Sequence, residues 1–190
     1  MSIAGLVLLI IKASNYHTFE VTIVIIFGTT MVLLYTISCV YHGLSSKIKG
    51  KKVLRVLDHC NVYLLVFGTV IPIALLGITS VSGWIFLGVV GFVTTLGIIA
   101  SVINLDKFQI FEVICHLVNG WSVLFFSNDL IANIGMVGFA FIILGGFFYS
   151  LGAILYGIGT KKKYMHSVFH FFCLAGTTFH YLGYYSAIEK

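Results

Sequence analysis

The chain has 190 residues, of which 59% are hydrophobic and only 9% charged, with a mean hydropathy of +1.09. A water-soluble domain of this size needs far more charge to cover its surface, so the composition excludes one and describes an integral membrane protein. The net charge of +5 sits in short clusters between apolar runs. It leaves no basic face for nucleic acid and reads as an orientation signal.

A membrane-crossing helix needs about 20 consecutive apolar residues. In chain order the apolar runs are Ile3–Ile11, Phe19–Tyr41, Val53–Thr79, Val81–Ile103, Phe108–Phe126, Leu130–Ile158 and Tyr164–Ile188. The first is too short to cross alone and lacks the basic start and small-residue cleavage site of a signal peptide. It reads as a first helix that is short or truncated at its start. The expected architecture is all-α: a polytopic, seven-transmembrane helix bundle forming one domain over residues 1–190.

Basic residues fix the expected orientation. Lys47, Lys49, Lys51, Lys52 and Arg55 lie between the second and third runs, Lys107 between the fourth and fifth, and Lys161 to Lys163 between the sixth and seventh. The intervening loops around Ser80 and Asn128-Asp129 carry no Lys or Arg. Every second loop is basic, which predicts seven spans with a cytoplasmic N-terminus and an outside C-terminus. Lys12 alone falls on the opposite side.

That topology assigns depth to the polar residues. His42 closes the second run, Asp58 and His59 open the third, and His166 and His170 open the seventh. Three helices are thereby expected to bring His42, Asp58, His166 and His170 to the same membrane face. His166 and His170, four apart, lie one turn apart on one helical face, where two imidazoles can ligate one ion. Three histidines with a carboxylate or water suit a catalytic zinc centre with one open position. Each residue also has a plainer reading. Ser38 can bond back to its own helix, His42 can be an interfacial residue, Asp58 can be a cap, and the histidine pair can bond between helices.

The seventh run carries a polar stripe, His166, His170, Cys173, Thr177, His180 and Tyr184, at three- and four-residue steps, which should look inward. His180 lies roughly 15 Å beyond His170 along the axis, too far to share its ion, so it should line a cavity or hydrogen-bond. His59 points about 100° away from Asp58, behind the ligands or in a structural role. His116 has no ligand-spaced partner in its own run and reads as a core histidine. Glu20, Asp106, Glu112, Asp129 and Glu189 lie near the ends of runs and are expected to face water or headgroups. A closed site of Cys39, His42, His59 and Cys60 is the weaker metal arrangement. The four cysteines form no CxxC pair, which argues against a disulfide framework. Pro72 should kink the third run.

Taken in order, Ser38-x-x-x-His42, Asp58-His59 with Tyr63 and Gly68-Thr69, Asn119-Gly120-Trp121, and His166-x-x-x-His170 with His180 resemble the hemolysin III family. That family is similar to the adiponectin and progestin receptors and the alkaline ceramidases. The likeness covers essentially the whole chain. It implies a seven-helix fold with Zn2+ near the cytoplasmic face, ligated by His42, His166 and His170. It further implies that Asp58 holds or activates water there, that Ser38 supports the site, and that His59, Tyr63 and His180 stand behind it or line its cavity. The chain departs from the family at Gly68-Thr69-Val70-Ile71-Pro72, where a more polar, aromatic stretch is usual, and in its short first helix. Three functions are open on this reading. They are a zinc-dependent hydrolase acting on a lipid amide or ester, a sensor or regulator that binds membrane lipid around structural zinc, and, ranked last, a pore. Homo-oligomerisation is open as well.

Overall fold

A computed structural model describes residues 2–45, 47–78, 80–159 and 165–188, with side chains described outside 156–167. Among the described residues the chain is helical and forms no strand. Three helical stretches are long and apolar enough to cross a membrane: Thr18–Gly43, Lys51–Ile78 and Val81–Leu155. The protein is a helical membrane protein.

The helices are α1 (Ser2–Ala13), α2 (Thr18–Gly43), α3 (Lys51–Pro72), α4 (Val81–Trp121), α5 (Ser127–Gly159) and α6 (Met165–Ala187). At 12 residues, α1 is only about 18 Å long. Proline cannot donate the helical hydrogen bond, and its ring crowds the preceding turn. Accordingly α3 gives way at Pro72 to a π-helical turn over Ile73–Ile78, the form in which the expected kink is realised. Two further breaks interrupt the long apolar path: Asn104 in α4 is extended (φ −162°, ψ 91°), and Gly135 in α5 has φ 78°. A positive φ is a backbone state that glycine enters without a Cβ clash. A 3-10 segment, Ser122–Phe126, joins α4 to α5.

The chain forms two compact units, Met1–Gly120 and Trp121–Lys190. In the first, the part of α4 before Asn104 sorts its residues by face. Ile85, Val89, Phe92, Leu96, Ile99 and Ile103 are exposed, whereas Gly83, Phe86, Val90, Thr94, Gly97 and Ser101 are buried. Large apolar side chains turned outward with small ones inward are what a lipid-facing helix requires, because close approach of backbones replaces the hydrophobic drive available in water. Gly97 shows the need directly: a Cβ there would collide with the ring of Tyr63, which is fully buried. Gly68 of α3 lies in the same way against Thr30 of α2, and Gly28 of α2 against Leu6 of α1.

In the second unit, α5 and α6 pack along a glycine seam. Gly138 and Gly145, seven residues apart, meet the backbones of Gly183 and Gly176, and Gly152 meets Phe169, Phe172 and Cys173. Recurrence every seven residues keeps one face of a helix against its neighbour. The glycines of this region are therefore an ordered interface.

Candidate functional site

The short link between α2 and α3 fixes the first part of the expected site. Ser38 and His42 occupy the last two turns of α2, and Asp58 lies in the second turn of α3. The helices are joined by residues 44–50, so all three residues stand at the same end of the pair. Lys51 ties this end together. Its Nζ donates to the carbonyl of Leu44, one of the carbonyls that a helix end leaves without an internal partner, and it lies 5.2 Å from the centroid of the Tyr41 ring. Tyr41 in turn stands edge-on to the His42 imidazole at 4.8 Å. His42 is exposed, while Ser38 and Asp58 are half-buried.

The second part lies in the other unit. His170 is half-buried in the second turn of α6, with its ring 5.1 Å from that of Phe169. The His166 side chain lies outside the described residues. Among the described residues no three His, Cys, Asp or Glu side chains group so as to hold a metal ion. The weaker arrangement of Cys39, His42, His59 and Cys60 is not assembled: Cys39 and His42 are exposed, Cys60 is buried, and His59 faces Glu112.

Further along α6 the polar stripe turns inward. Thr177, His180 and Tyr184 are all buried. Thr177 Oγ1 donates to the Cys173 carbonyl at 3.0 Å and lies 2.6 Å from the Tyr149 hydroxyl of α5. His180 Nδ1 lies 3.5 Å from the Tyr184 hydroxyl, and its ring rests against Gly145. Thr177 and Tyr184 are hydrogen-bonded along and across the helices, as buried polar groups need in an apolar surround, while Nε2 of His180 is buried with no hydrogen-bond partner among the described residues.

The first unit holds a cluster that sequence reasoning missed. Glu112 was expected to face water, yet it is 5% exposed. His59 Nδ1 lies 3.0 Å from each of its carboxylate oxygens, and His116 Nε2 lies 3.6 Å from Oε1. His116 does have a partner four residues away in its own helix, contrary to expectation. That partner is the carboxylate of Glu112. Tyr63 packs on His116 with ring centroids 4.1 Å apart. A four-residue Glu–His spacing was the available signal. The other half of the cluster is His59, which lies 53 residues from Glu112 in the chain.

At the margin of this cluster Arg55 pairs with Asp106 at 2.6 Å, both groups being substantially exposed. The hydrogen bond and positive charge from Arg55 hold the Asp106 carboxyl below the ordinary carboxylate range.

The comparisons with known proteins bear on the whole chain. The model of the family described as haemolysin-III related matches residues 1–181. This chain belongs to that family. It is 34% identical over 178 residues to the "Hemolysin-3 homolog" of Bacillus subtilis (strain 168), covering 93% of this chain and 83% of that protein. It is 31% identical over 178 residues to the "Hemolysin-3" of Bacillus cereus, covering 93% and 80%. No solved structure matches the chain.

Proposed function

We propose that this haemolysin-III related protein is a multi-pass zinc protein of the bacterial inner membrane, a seven-span bundle that hydrolyses a lipid amide or ester near the cytoplasmic face. The observation that carries this reading is the gathering of Ser38, His42 and Asp58 at one end of the α2–α3 pair, with a second imidazole pair, His166 and His170, opening α6. Imidazole nitrogens and a carboxylate are donors that suit zinc, and three of them leave one position open. His42, His166 and His170 would hold the ion. When bound, zinc supplies Lewis acidity toward a carbonyl and lowers the pKa of water to about 7.

The chain's own residues do the remaining work. The Asp58 carboxylate, about two turns inside α3, accepts the proton of the attacking water and returns it to the leaving amine or alcohol. The Ser38 hydroxyl, one turn before His42, donates to the substrate carbonyl oxygen as negative charge develops on it. A site just inside a membrane face is at the depth of a lipid's amide or ester linkage, so the substrate need not leave the bilayer.

Elemental analysis of detergent-purified protein beside the His170→Ala variant tests the proposal. About one zinc per chain, lost in the variant, supports it. Well-folded protein that takes up no zinc when zinc is supplied overturns it. A second reading, a lipid-binding regulator with structural zinc, is favoured by the contacts of Thr177 with Tyr149 and of His180 with Tyr184, which resemble a packed helix seam more than a reaction chamber. Zinc-loaded protein that turns over no lipid amide or ester would select it.

A further inference from the structure

The first unit carries polar side chains at three levels along α3 that meet partners on the part of α4 beyond Asn104. Arg55 meets Asp106, His59 meets Glu112, and Tyr63 meets His116. The residues on α3 are four apart, so the column descends about 12 Å from the exposed ion pair to a fully buried tyrosine. Glu112 is at its centre, between two imidazoles.

We propose that Glu112, seated between His59 and His116, is a proton-binding site inside the first unit, loaded from the aqueous edge marked by Arg55 and Asp106. This goes beyond the hydrolase reading and does not depend on it. A buried carboxylate in an apolar surround needs one positive partner to be tolerated, and a static pair would stop there. Glu112 has two imidazoles, one at 3.0 Å and the other at 3.6 Å. Three protonatable groups within such distances share protons as a unit.

A second observation points the same way. Both ring nitrogens of His116 are buried without a hydrogen-bond partner among the described residues. At 3.6 Å the contact with Glu112 is an ion-pair distance and too long for a hydrogen bond. A proton on His116 Nε2 gives the carboxylate a charged donor and draws the ring onto it, which relieves the unsatisfied nitrogen.

The charge balance is simple. A hydronium ion at the edge gives its proton to His59, Glu112 or His116 and leaves as water, and no electrons move. The cluster then passes from one net charge to the next as a unit. The other charged and titratable groups on the two helices are Lys51, Lys52, Arg55, Asp58, Cys60 and Tyr63 of α3, and Asp106, Lys107 and Cys115 of α4. Cys60, Cys115 and Tyr63 are buried and neutral, while Arg55 and Asp106 cancel each other at the edge.

The test uses the full-length chain in liposomes with nitrogen-labelled histidine and carbon-labelled glutamate, chelator present, over the pH range in which the helical fold is retained. The two imidazole resonances removed by His59→Asn and His116→Asn should change charge together. A carboxylic-acid C=O band should appear on acidification and be absent in Glu112→Gln. If Glu112→Gln does not fold, the wild-type band decides, through its shift in His116→Gln. Imidazoles and a carboxyl that keep one charge throughout would overturn the proposal. So would a titration that appears only in a parallel sample supplied with zinc and no chelator, since the cluster would then be a cation site. Chelation leaves this test independent of the hydrolase reading, which fails or stands on zinc content.

Discussion

The imidazole of His180 in α6 lies directly against Gly145 in α5, and a Cβ at that glycine would strike both the ring and the carbonyl of Gly176. The contact sits midway along the glycine seam, so the two helices cannot separate locally to relieve a clash. Gly145→Ala is expected to destabilise the protein by about 1–3 kcal/mol, the usual cost of overpacking a closed interface. Thermal unfolding in detergent should show a lower Tm for this variant than for Gly120→Ala, where an added Cβ meets nothing.

The hydrogen bond between Tyr149 and Thr177 is 2.6 Å long, and Thr177 also donates to its own helix. Removing the phenol in Tyr149→Phe leaves the threonine satisfied along α6. The expected loss is therefore modest, on the order of 1 kcal/mol, in keeping with hydrogen bonds between membrane helices. A fall in Tm as large as that of Gly145→Ala would mean that this bond carries more of the α5–α6 interface than its geometry implies.

Asp106 lies outside the apolar runs, and its carboxyl is held below the ordinary range by Arg55. A depressed carboxylate contributes stability above its unfolded pKa and loses it as pH falls through the folded one. Acidification should therefore weaken the tie between the start of α3 and the Asn104 break, and Asp106→Asn should flatten that limb of the stability profile. Both groups are substantially exposed, so the effect should be small and should shrink as salt is raised.

Lys51 closes the end of α2 through the Leu44 carbonyl and the Tyr41 ring. Lys51→Met keeps a long side chain and removes the charged donor. Hydrogen exchange should then rise at the amides of residues 41–45 while the rest of α2 is unchanged. Uniform protection in the variant would show that the link needs no such clamp.

If Asp58 is the base of the proposed reaction and not a ligand, Asp58→Asn should retain zinc and lose turnover by a factor of about 10²–10⁴. His42→Ala should lose zinc itself. Metal content measured beside lipid hydrolysis separates the two, and loss of zinc in Asp58→Asn would make that carboxylate a ligand.

Much of this was legible in the sequence for definite physical reasons. Apolar runs bounded by Lys clusters announce membrane helices, because neither feature serves a soluble domain. The inward face of α6 could be read from Thr177, His180 and Tyr184 because helical periodicity is local. Glu112 was not legible. A lone acid a few residues past Asp106 and Lys107 looks solvated, and only the fold brings His59 to it across 53 residues. The break at Asn104 was visible as a polar gap between apolar runs. The π-helical turn after Pro72 was not, because proline specifies a disruption and the neighbouring helices choose its form. The seam of Gly138, Gly145 and Gly152 was not legible either, because a seven-residue spacing of glycines acquires meaning only once α6 packs against it.

Tyr63 is fully buried, and its ring touches Gly97 before the break in α4 and His116 after it. One side chain on α3 is thus shared by both arms of the next helix. Its size is a common constraint on two positions 34 and 53 residues away from it in the chain. In a lineage of such proteins those three positions should not drift independently. A residue larger than glycine at 97 would demand a smaller ring at 63, and a smaller ring would strip His116 of its cover. Inheritance at this point should therefore proceed by sets of residues, a pattern that a comparison of many relatives could read without any further structure.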